Sequence, residues 1–251
     1  LPGDTTMVKI NTVSYNVQTK KEVRTNLPTG THINSVAIEV MKKSGELLAG
    51  YSERGYKKEI LKHVNLNNGK EETLIEETSE TNIDNFWFRQ FQDKEKIIFL
   101  SERSGWRQLY VVDLKTKETK PLTTGNYYIN SVAHTDEKNE NIYFLASGKE
   151  PNANPYHQKL YRVNFKGEVT LLTPENTHHM VHFSEDGTFF VDNYSTINIP
   201  TRTGLRDSRN GKILAELTKA DVSEVVSKGW QSPEVFDLIA KDGKTTIYGA
   251  I

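Results

Sequence analysis

One pattern recurs three times along the chain at intervals of nearly fifty residues. Each copy has a polar turn that begins with Ser, an alternating apolar run, a second polar turn and a short run that ends near Leu-Thr; the copies are 52–78, 101–125 and 147–173. Their first residues, Ser52, Ser101 and Ser147, lie 49 and 46 residues apart. A period of this length filled with strands is typical of β-propeller blades, whose repeats have roughly 40–50 residues. The sequence therefore predicts an all-β chain of consecutive four-stranded antiparallel blades.

Composition and charge narrow the class of partner. The 251 residues are 35% hydrophobic, and 32 Lys and Arg balance 33 Asp and Glu, for a formal net charge of −1. This balance gives no net attraction to nucleic acid or to an anionic membrane, so neither is expected as a partner. The absence of cysteine excludes a disulfide framework and a thiolate metal site. No stretch approaches the roughly 18 apolar residues that span a bilayer, and LPGDTTMVKI lacks the regions of a signal peptide.

Turn residues and strand alternation divide residues 1–217 into blades. Four blades are predicted, preceded by an outer strand pair that has no inner strands, so the first blade is incomplete; the blades are 33–78, 83–123, 128–173 and 178–217, and the outer pair lies within 8–25. In the first full blade, the turn Lys43-Ser44-Gly45 joins the predicted strands 33–40 and 46–51.

The end of the chain does not follow the repeat. Residues 218–232 are predicted to form a partly helical linker, with Thr218 as the N-cap of a helix that continues through Val226. Pro233 then begins two strand-like runs, 235–240 and 245–251, which a turn at Asp242-Gly243 joins. We interpret residues 233–251 as the start of a separate domain.

Four segments stand in a specific order and spacing: SERSGWRQLYVVDLKTKETKPLTTG, NIYFLASGKEPNANPYHQKLYRV, LLTPENTHHMVHFSEDGTFFVDNYS and PEVFDLIAKDGKTTIYGAI. In that order they resemble the dipeptidyl peptidase IV family of serine peptidases. The resemblance implies an eight-bladed propeller and then an α/β-hydrolase domain with a Ser-Asp-His triad, which removes N-terminal dipeptides, usually after Pro or Ala. It assigns 1–217 to the second half of the propeller and 233–251 to the first strands of a truncated hydrolase domain. For the whole protein it implies a homo-oligomer located in the periplasm or at the cell surface.

The sequence offers no catalytic residue and no cofactor site of its own. An α/β-hydrolase nucleophile lies in a G-x-S-x-G elbow, a pattern that does not occur here. The resembling family also holds the substrate ammonium with two adjacent glutamates, which the resemblance places before Leu1. Glu71-Glu72 and Glu76-Glu77 match this pair in letters only, and we expect them to be solvated charges on an edge strand that discourage sheet-to-sheet pairing.

The aromatic segment 86–91 supplies the candidate substrate-binding residues, Phe86, Trp87 and Arg89. Alternation places Phe86 on one face of a strand and Trp87 and Arg89 on the other. In the resembling family, an aromatic residue and an arginine from this region line the extended substrate pocket. A structural role is the favoured interpretation of this segment from the residues alone, because propeller blades pack on one another through large side chains.

Two further patterns are weaker. His178 and His182 are four residues apart, which could present two imidazoles to zinc, but a site needs three or four converging ligands, so no metal is expected. Asn193-Tyr194-Ser195 matches the glycosylation sequon, which has meaning only in a eukaryotic secretory pathway.

Two functional hypotheses remain. In the first, the chain is a fragment of the propeller of a serine exopeptidase, which gates and binds peptides with Pro or Ala at the second position for a catalytic domain outside the chain. In the second, it is a free-standing propeller that binds proteins and has no peptidase activity. Residues 233–251 favour the first hypothesis, because a closed propeller has no use for a non-repeat strand pair.

Overall fold

The structure is a computed structural model that describes residues 12–25, 37–41, 45–53, 55–84 and 86–251. Within these ranges the chain forms twenty β-strands, one short α-helix and one 3-10 turn. It divides into two compact units, Leu1–Gly105 with Leu109–Pro121, and Trp106–Gln108 with Leu122–Ile251. Four four-stranded antiparallel sheets account for most of the strands. They confirm the predicted all-β fold of consecutive blades.

The first unit contains a two-stranded sheet and two blades, which we call blade 1 and blade 2. The strands are β1 Thr12–Asn16 and β2 Lys21–Thr25; β3 Ala37–Val40, β4 Glu46–Ser52, β5 Lys58–Asn65 and β6 Glu71–Thr78 of blade 1; and β7 Phe88–Phe91, β8 Lys96–Ser101, β9 Gln108–Asp113 and β10 Thr119–Pro121 of blade 2. The predicted hairpin of blade 1 is present as the antiparallel pair β3 and β4. Residues 8–11, 33–36 and the turn residues 43–44, which the sequence analysis also assigned, lie outside the described residues.

The second unit contains blades 3 and 4 and a terminal hairpin. The strands are β11 Tyr128–Asp136, β12 Asn141–Ser147, β13 Gln158–Asn164 and β14 Val169–Leu171 of blade 3; β15 His178–Phe183, β16 Phe189–Thr196, β17 Ile199–Asp207 and β18 Ile213–Lys219 of blade 4; and β19 Val235–Ile239 and β20 Thr246–Ala250 of the hairpin. That this hairpin begins a hydrolase domain remains a prediction.

Apolar side chains fill the space between neighbouring blades within each unit. In the first unit, residues of β4, β5 and β6 pack against residues of β8 and β9; the buried members are Leu48, Leu61, Ile75, Ile97, Phe99, Tyr110 and Val112. In the second unit, the corresponding buried cluster is Tyr143, Leu145, Leu160, Leu172 and Phe190. Full burial of one such large side chain contributes roughly 1.5–3 kcal/mol. The inter-blade cores are therefore what holds each pair of sheets together.

The predicted linker differs from expectation at its start. Thr218 is not an N-cap: it lies in β18, where it pairs with Thr203 of β17. Strand β17 is long enough to extend the ladder to Lys219, and these backbone hydrogen bonds take precedence over a local helix signal. The helix, α1, covers Ser223–Ser227, and the carboxylate of Asp221 accepts the backbone N–H of Ser223 just before it. No helix in the described ranges has the length and apolar character needed to cross a membrane.

Candidate functional site

The first strand of each blade forms one edge of its sheet, and in a propeller that strand lines the central channel. Arg89 lies on such a strand, β7, and its side chain is 57% exposed. Its Nη1 lies 3.1 Å from Oε1 of Glu39 on β3, the first strand of blade 1. Glu39 Oε2 also accepts the backbone N–H of Gln90 at 3.2 Å. Arg89 is therefore held by one carboxylate while its guanidinium stays open to solvent, where it can donate to a ligand carbonyl or carboxylate.

Phe86 and Trp87 have different environments from Arg89. The Phe86 ring is half-buried against the inter-blade core of the first unit, with its centroid 5.9 Å from that of Phe88. Phe88 fills the space above Gly50, where an added Cβ would lie 2.6 Å from the ring. Trp87 is half-buried, and its carbonyl accepts the backbone N–H of Leu100 at 3.0 Å. Of the three predicted residues, Arg89 alone is exposed, and Phe86 packs against the inter-blade core.

The two glutamate pairs on β6 do not share one environment. Glu72 binds Lys117 at 2.9 Å and Glu76 binds Lys58 at 3.1 Å, and both glutamates are exposed, as expected for an edge strand. Glu77 differs from the expectation, because it is buried. It accepts a hydrogen bond from Ser101 Oγ at 2.7 Å and binds Arg103.

These contacts explain the Ser-Glu-Arg start of the second repeat copy. Arg103 extends over the rings of Phe99 and Tyr110, at 5.2 and 5.0 Å from their centroids, and reaches Glu77 on blade 1. Ser101 ends β8 beside the same carboxylate. The Ser-Glu-Arg motif therefore links the end of β8 in blade 2 to β6, the outer strand of blade 1, by a hydrogen bond and an ion pair.

A buried polar network lies in the second unit, and sequence reasoning did not find it. His179 on β15 is fully buried, and its Nδ1 lies 2.9 Å from Oδ2 of Asp192 on β16. On its other side, His179 Nε2 lies 3.0 Å from Thr177 Oγ1. Arg206 on β17 places Nε 2.9 Å from Asp192 Oδ2, close enough for an ion pair although the N–H is not aligned for a hydrogen bond.

Further contacts complete this network. Arg206 Nη1 donates to Glu175 and to the carbonyl of Gly211. The ring of Tyr194 stacks on His179, with centroids 5.7 Å apart, and the Arg206 guanidinium lies 5.3 Å from the same ring. The signal in the sequence was charged residues at inward-facing strand positions, which seldom occur without a partner.

The order Thr177, His179, Asp192 has the connectivity of a hydrolytic triad, but the setting differs. His179 and Asp192 have no exposed surface, and Thr177 is 6% exposed. A nucleophile must be reachable by substrate and lie near oxyanion donors. We therefore assign these residues a structural role, in which they join β15, β16 and β17 and fix the connection from blade 3.

The residues of both weaker sequence patterns lie on strands of blade 4. Burial lowers the pKa of His178, and its ring meets that of His157 edge to face at 6.4 Å. In the part of the chain that the structure describes, no group of three or more acidic or histidine side chains is placed to hold a metal ion. The sequon residue Asn193 lies within β16, where its Oδ1 accepts the Thr203 hydroxyl at 2.7 Å.

A pocket of about 360 Å³ lies where the hairpin β19–β20 meets blades 3 and 4. The loop before β13, the turn between β16 and β17, and the hairpin form its walls through Asn154, His157, Asn198, Phe236 and Tyr248. In an antiparallel four-stranded blade, the connection between the second and third strands lies at the same end as the start of the first strand. The pocket is therefore at the end of the blades where the chain passes from one blade to the next.

Comparison with known proteins places the chain in a family. The family model described as the dipeptidyl peptidase IV (DPP IV) N-terminal region matches residues 1–201. The chain belongs to this family. The match covers blades 1 to 3 and the part of blade 4 up to the start of β17, which agrees with the resemblance in the sequence.

Two relatives illustrate the likeness. Dipeptidyl peptidase 4 of Trichophyton equinum is 24% identical over 192 residues, which cover 70% of this chain and 24% of the relative. The crystal structure of Porphyromonas gingivalis dipeptidyl peptidase 4 superposes with a TM-score of 0.76 at 16% identity, covering 96% of this chain and 34% of that chain. At this identity the structural match shows the fold alone. This chain thus spans about a quarter of the fungal protein and a third of the bacterial one.

Proposed function

We propose that this chain is part of the propeller of a dipeptidyl peptidase IV-like serine exopeptidase, and that it admits and orients peptides for a catalytic domain elsewhere in the whole protein. The family match over residues 1–201 supports the class of protein. The observation that carries the role in substrate binding is Arg89, a solvent-open cation on the first strand of blade 2. Because G-x-S-x-G is absent from the chain, the nucleophile belongs to the catalytic domain.

Arg89 would act as a donor to the peptide backbone. Its pair with Glu39 limits the rotamers of the guanidinium, so less conformational entropy is lost when a carbonyl binds. Phe86 would support the strand from the core side, and Trp87 would extend the contact along β7. This arrangement favours peptides over dipeptide amides, because only a longer chain reaches the propeller strands.

The test uses the whole protein that carries this sequence. We expect it to hydrolyse Gly-Pro and Ala-Pro chromogenic substrates, whereas residues 1–251 alone do not, because loss of a nucleophile typically costs about six orders of magnitude in rate. Arg89→Ala should raise KM for a longer Xaa-Pro peptide roughly tenfold, since a charge-assisted hydrogen bond contributes about 1.5–3 kcal/mol. Its melting temperature should stay close to wild type, because an exposed ion pair contributes about 0–1 kcal/mol.

Arg209→Ala is the matched control. Arg209 is also exposed and also paired to one carboxylate, that of Asp207, but it lies in the turn between β17 and β18. It should leave KM unchanged. If Arg89→Ala leaves KM at the wild-type value, or lowers stability instead, then Arg89 has a structural role and does not bind substrate. Turnover by residues 1–251 alone would refute the assignment of the nucleophile to the catalytic domain.

Three finer features of the proposal come from the sequence resemblance. We propose that the second residue of the substrate is Pro or Ala, that the whole protein is a homo-oligomer, and that it is exported to the periplasm or cell surface. The first is checked by the relative kcat/KM of a Gly-Xaa substrate series, and the last by cell fractionation of the source organism.

A further inference from the structure

The pocket beside the terminal hairpin has two carboxamides whose orientation is fixed. Asn154 Oδ1 accepts the backbone N–H of Tyr156 at 2.9 Å, and Asn198 Oδ1 accepts the Thr196 hydroxyl at 2.7 Å. Each oxygen is thus engaged within its own turn. Within the described ranges neither Nδ2 donates to the protein, so both residues are left with NH₂ groups for a ligand in the pocket that they line.

A third polar group of the pocket also lacks a partner among the described residues. His157 Nδ1 is buried and has no hydrogen-bond partner among the described residues. Burial, together with the neighbouring His178, lowers the pKa of His157, so the ring is neutral near pH 7 and offers one N–H donor and one acceptor. A buried polar atom without a partner destabilises the protein, and a bound group that satisfies it recovers that free energy.

The rest of the lining combines apolar side chains with Asn176, Thr196, Tyr248 and one acidic group. Ile197, Ile199, Val235 and Phe236 form the apolar part, and the exposed Asp237 lies beside them. The volume of about 360 Å³ falls in the roughly 300–1,000 Å³ range of ligand sites. A fitting ligand must combine carbonyl acceptors with an apolar group and carry no negative charge.

We propose that this pocket binds a short, uncharged, extended peptide segment, whose backbone carbonyls accept from Asn154 and Asn198 and whose apolar side chain lies against Ile197 and Phe236. An extended peptide is a ligand class in which carbonyl acceptors and apolar side chains alternate along one chain. This inference rests on one part of the proposed function, namely that the propeller binds peptides. It adds a second recognition element, formed by the blade 3 and blade 4 loops with the hairpin.

The test is direct binding of acetyl-Ala-Leu-Ala-amide to the 251-residue chain by isothermal titration calorimetry. Wild type should bind, and the Asn154→Asp/Asn198→Asp double variant should bind at least tenfold more weakly. Each substitution keeps an acceptor oxygen at Oδ1, where it closes the turn, but replaces the NH₂ donor with a second, negatively charged carboxylate oxygen. The matched control is Asn210→Asp, in the turn after β17, where Oδ1 accepts the backbone N–H of Lys212; it should bind as wild type does.

A second readout does not depend on variants. In the wild-type chain the imidazole nitrogen signals of His157 should shift on addition of the peptide. The proposal is overturned if the peptide does not bind, if the double variant binds as tightly as Asn210→Asp, or if the His157 signals stay fixed at saturation. Peptide hydrolysis plays no part in this measurement, so absence of turnover in the whole protein would refute the proposed function while leaving this result to be judged by itself.

Discussion

At the scale of single residues, identical side chains take different roles because strand geometry alternates. Glu76 and Glu77 are neighbours in β6, yet Glu76 is exposed and Glu77 is buried against Ser101. His178 and His179 are neighbours in β15, and only His179 is fully buried. A period of two residues places successive side chains on opposite faces. Each buried charge then needs a partner from another strand, which is why the network around Asp192 is the most sensitive point of the second unit.

We expect Asp192→Ala to reduce the free energy of unfolding by about 3–5 kcal/mol, because it removes the buried one of the two carboxylates that pair with Arg206 and leaves His179 Nδ1 without an acceptor. Urea denaturation followed by circular dichroism measures the loss. Glu185→Ala, an exposed carboxylate in the turn of the same blade, is the control and should change stability by less than about 0.5 kcal/mol. Equal effects of the two substitutions would contradict a stabilising role for the network.

At the scale of elements, the turns between the third and fourth strands of blades 3 and 4 each contain a glycine at positive φ. Gly167 ends the turn before β14, and Gly211 ends the turn before β18, at φ +82° and +74°. They occupy equivalent places in two repeats but have different neighbours. A Cβ at Gly167 would lie 3.4 Å from the carbonyl oxygen of Leu122, whereas one at Gly211 would lie 1.8 Å from that of Leu172. Only the turn at Gly211 packs so closely, here on the Leu172 carbonyl, that an added Cβ cannot fit without displacing backbone.

This pair allows backbone strain to be separated from packing. Gly167→Ala should cost roughly 1–2 kcal/mol, the penalty for an L-residue at positive φ. Gly211→Ala carries the same penalty, and it must also displace the Leu172 carbonyl, for which we expect roughly 1–3 kcal/mol more. Parallel denaturation curves of the two variants provide the comparison. Indistinguishable midpoints would mean that the β17–β18 turn adapts without cost.

At the scale of the whole molecule, two apolar surfaces remain open to solvent in the second unit. Every residue of β18 is exposed, including Ile213, Leu214 and Leu217. The hairpin β19–β20 exposes Leu238, Ile239 and Ile247. An edge strand with unpaired backbone groups and apolar side chains readily pairs with another chain.

We therefore expect the 251-residue chain to self-associate in a concentration-dependent way, with β18 as one contact surface. Leu217→Lys should shift the equilibrium towards monomer, because it places a charge at the centre of that contact. Thr116→Lys adds the same charge to an exposed turn of blade 2 and should have no effect. Size-exclusion chromatography with light scattering gives the masses; a wild-type chain that stays monomeric at every concentration would exclude association through these surfaces.

The sequence by itself determined the order of the strands that the structure describes. The repeat of nearly fifty residues, the two-residue alternation and the Gly-containing turns are local signals, since each is set by residues close together in the chain. They sufficed to predict four blades and the non-repeat hairpin after them. They also placed Arg89 on the strand face opposite to that of Phe86. Where the local signals competed, as at Thr218, the pairing of β17 with β18 prevailed over the helix signal.

Tertiary structure alone decided which polar residues meet. Asp192 contacts a histidine 13 residues away, and Arg206 contacts a glutamate 31 residues away. The proposed peptide pocket takes its walls from two blades and the hairpin. No sequence periodicity predicts these contacts, because they depend on sheet register and on how the blades pack. A register shift of one residue would turn every side chain of a strand to the other face. Local sequence signals therefore determine the strands, and packing between the blades determines the buried network and the pocket.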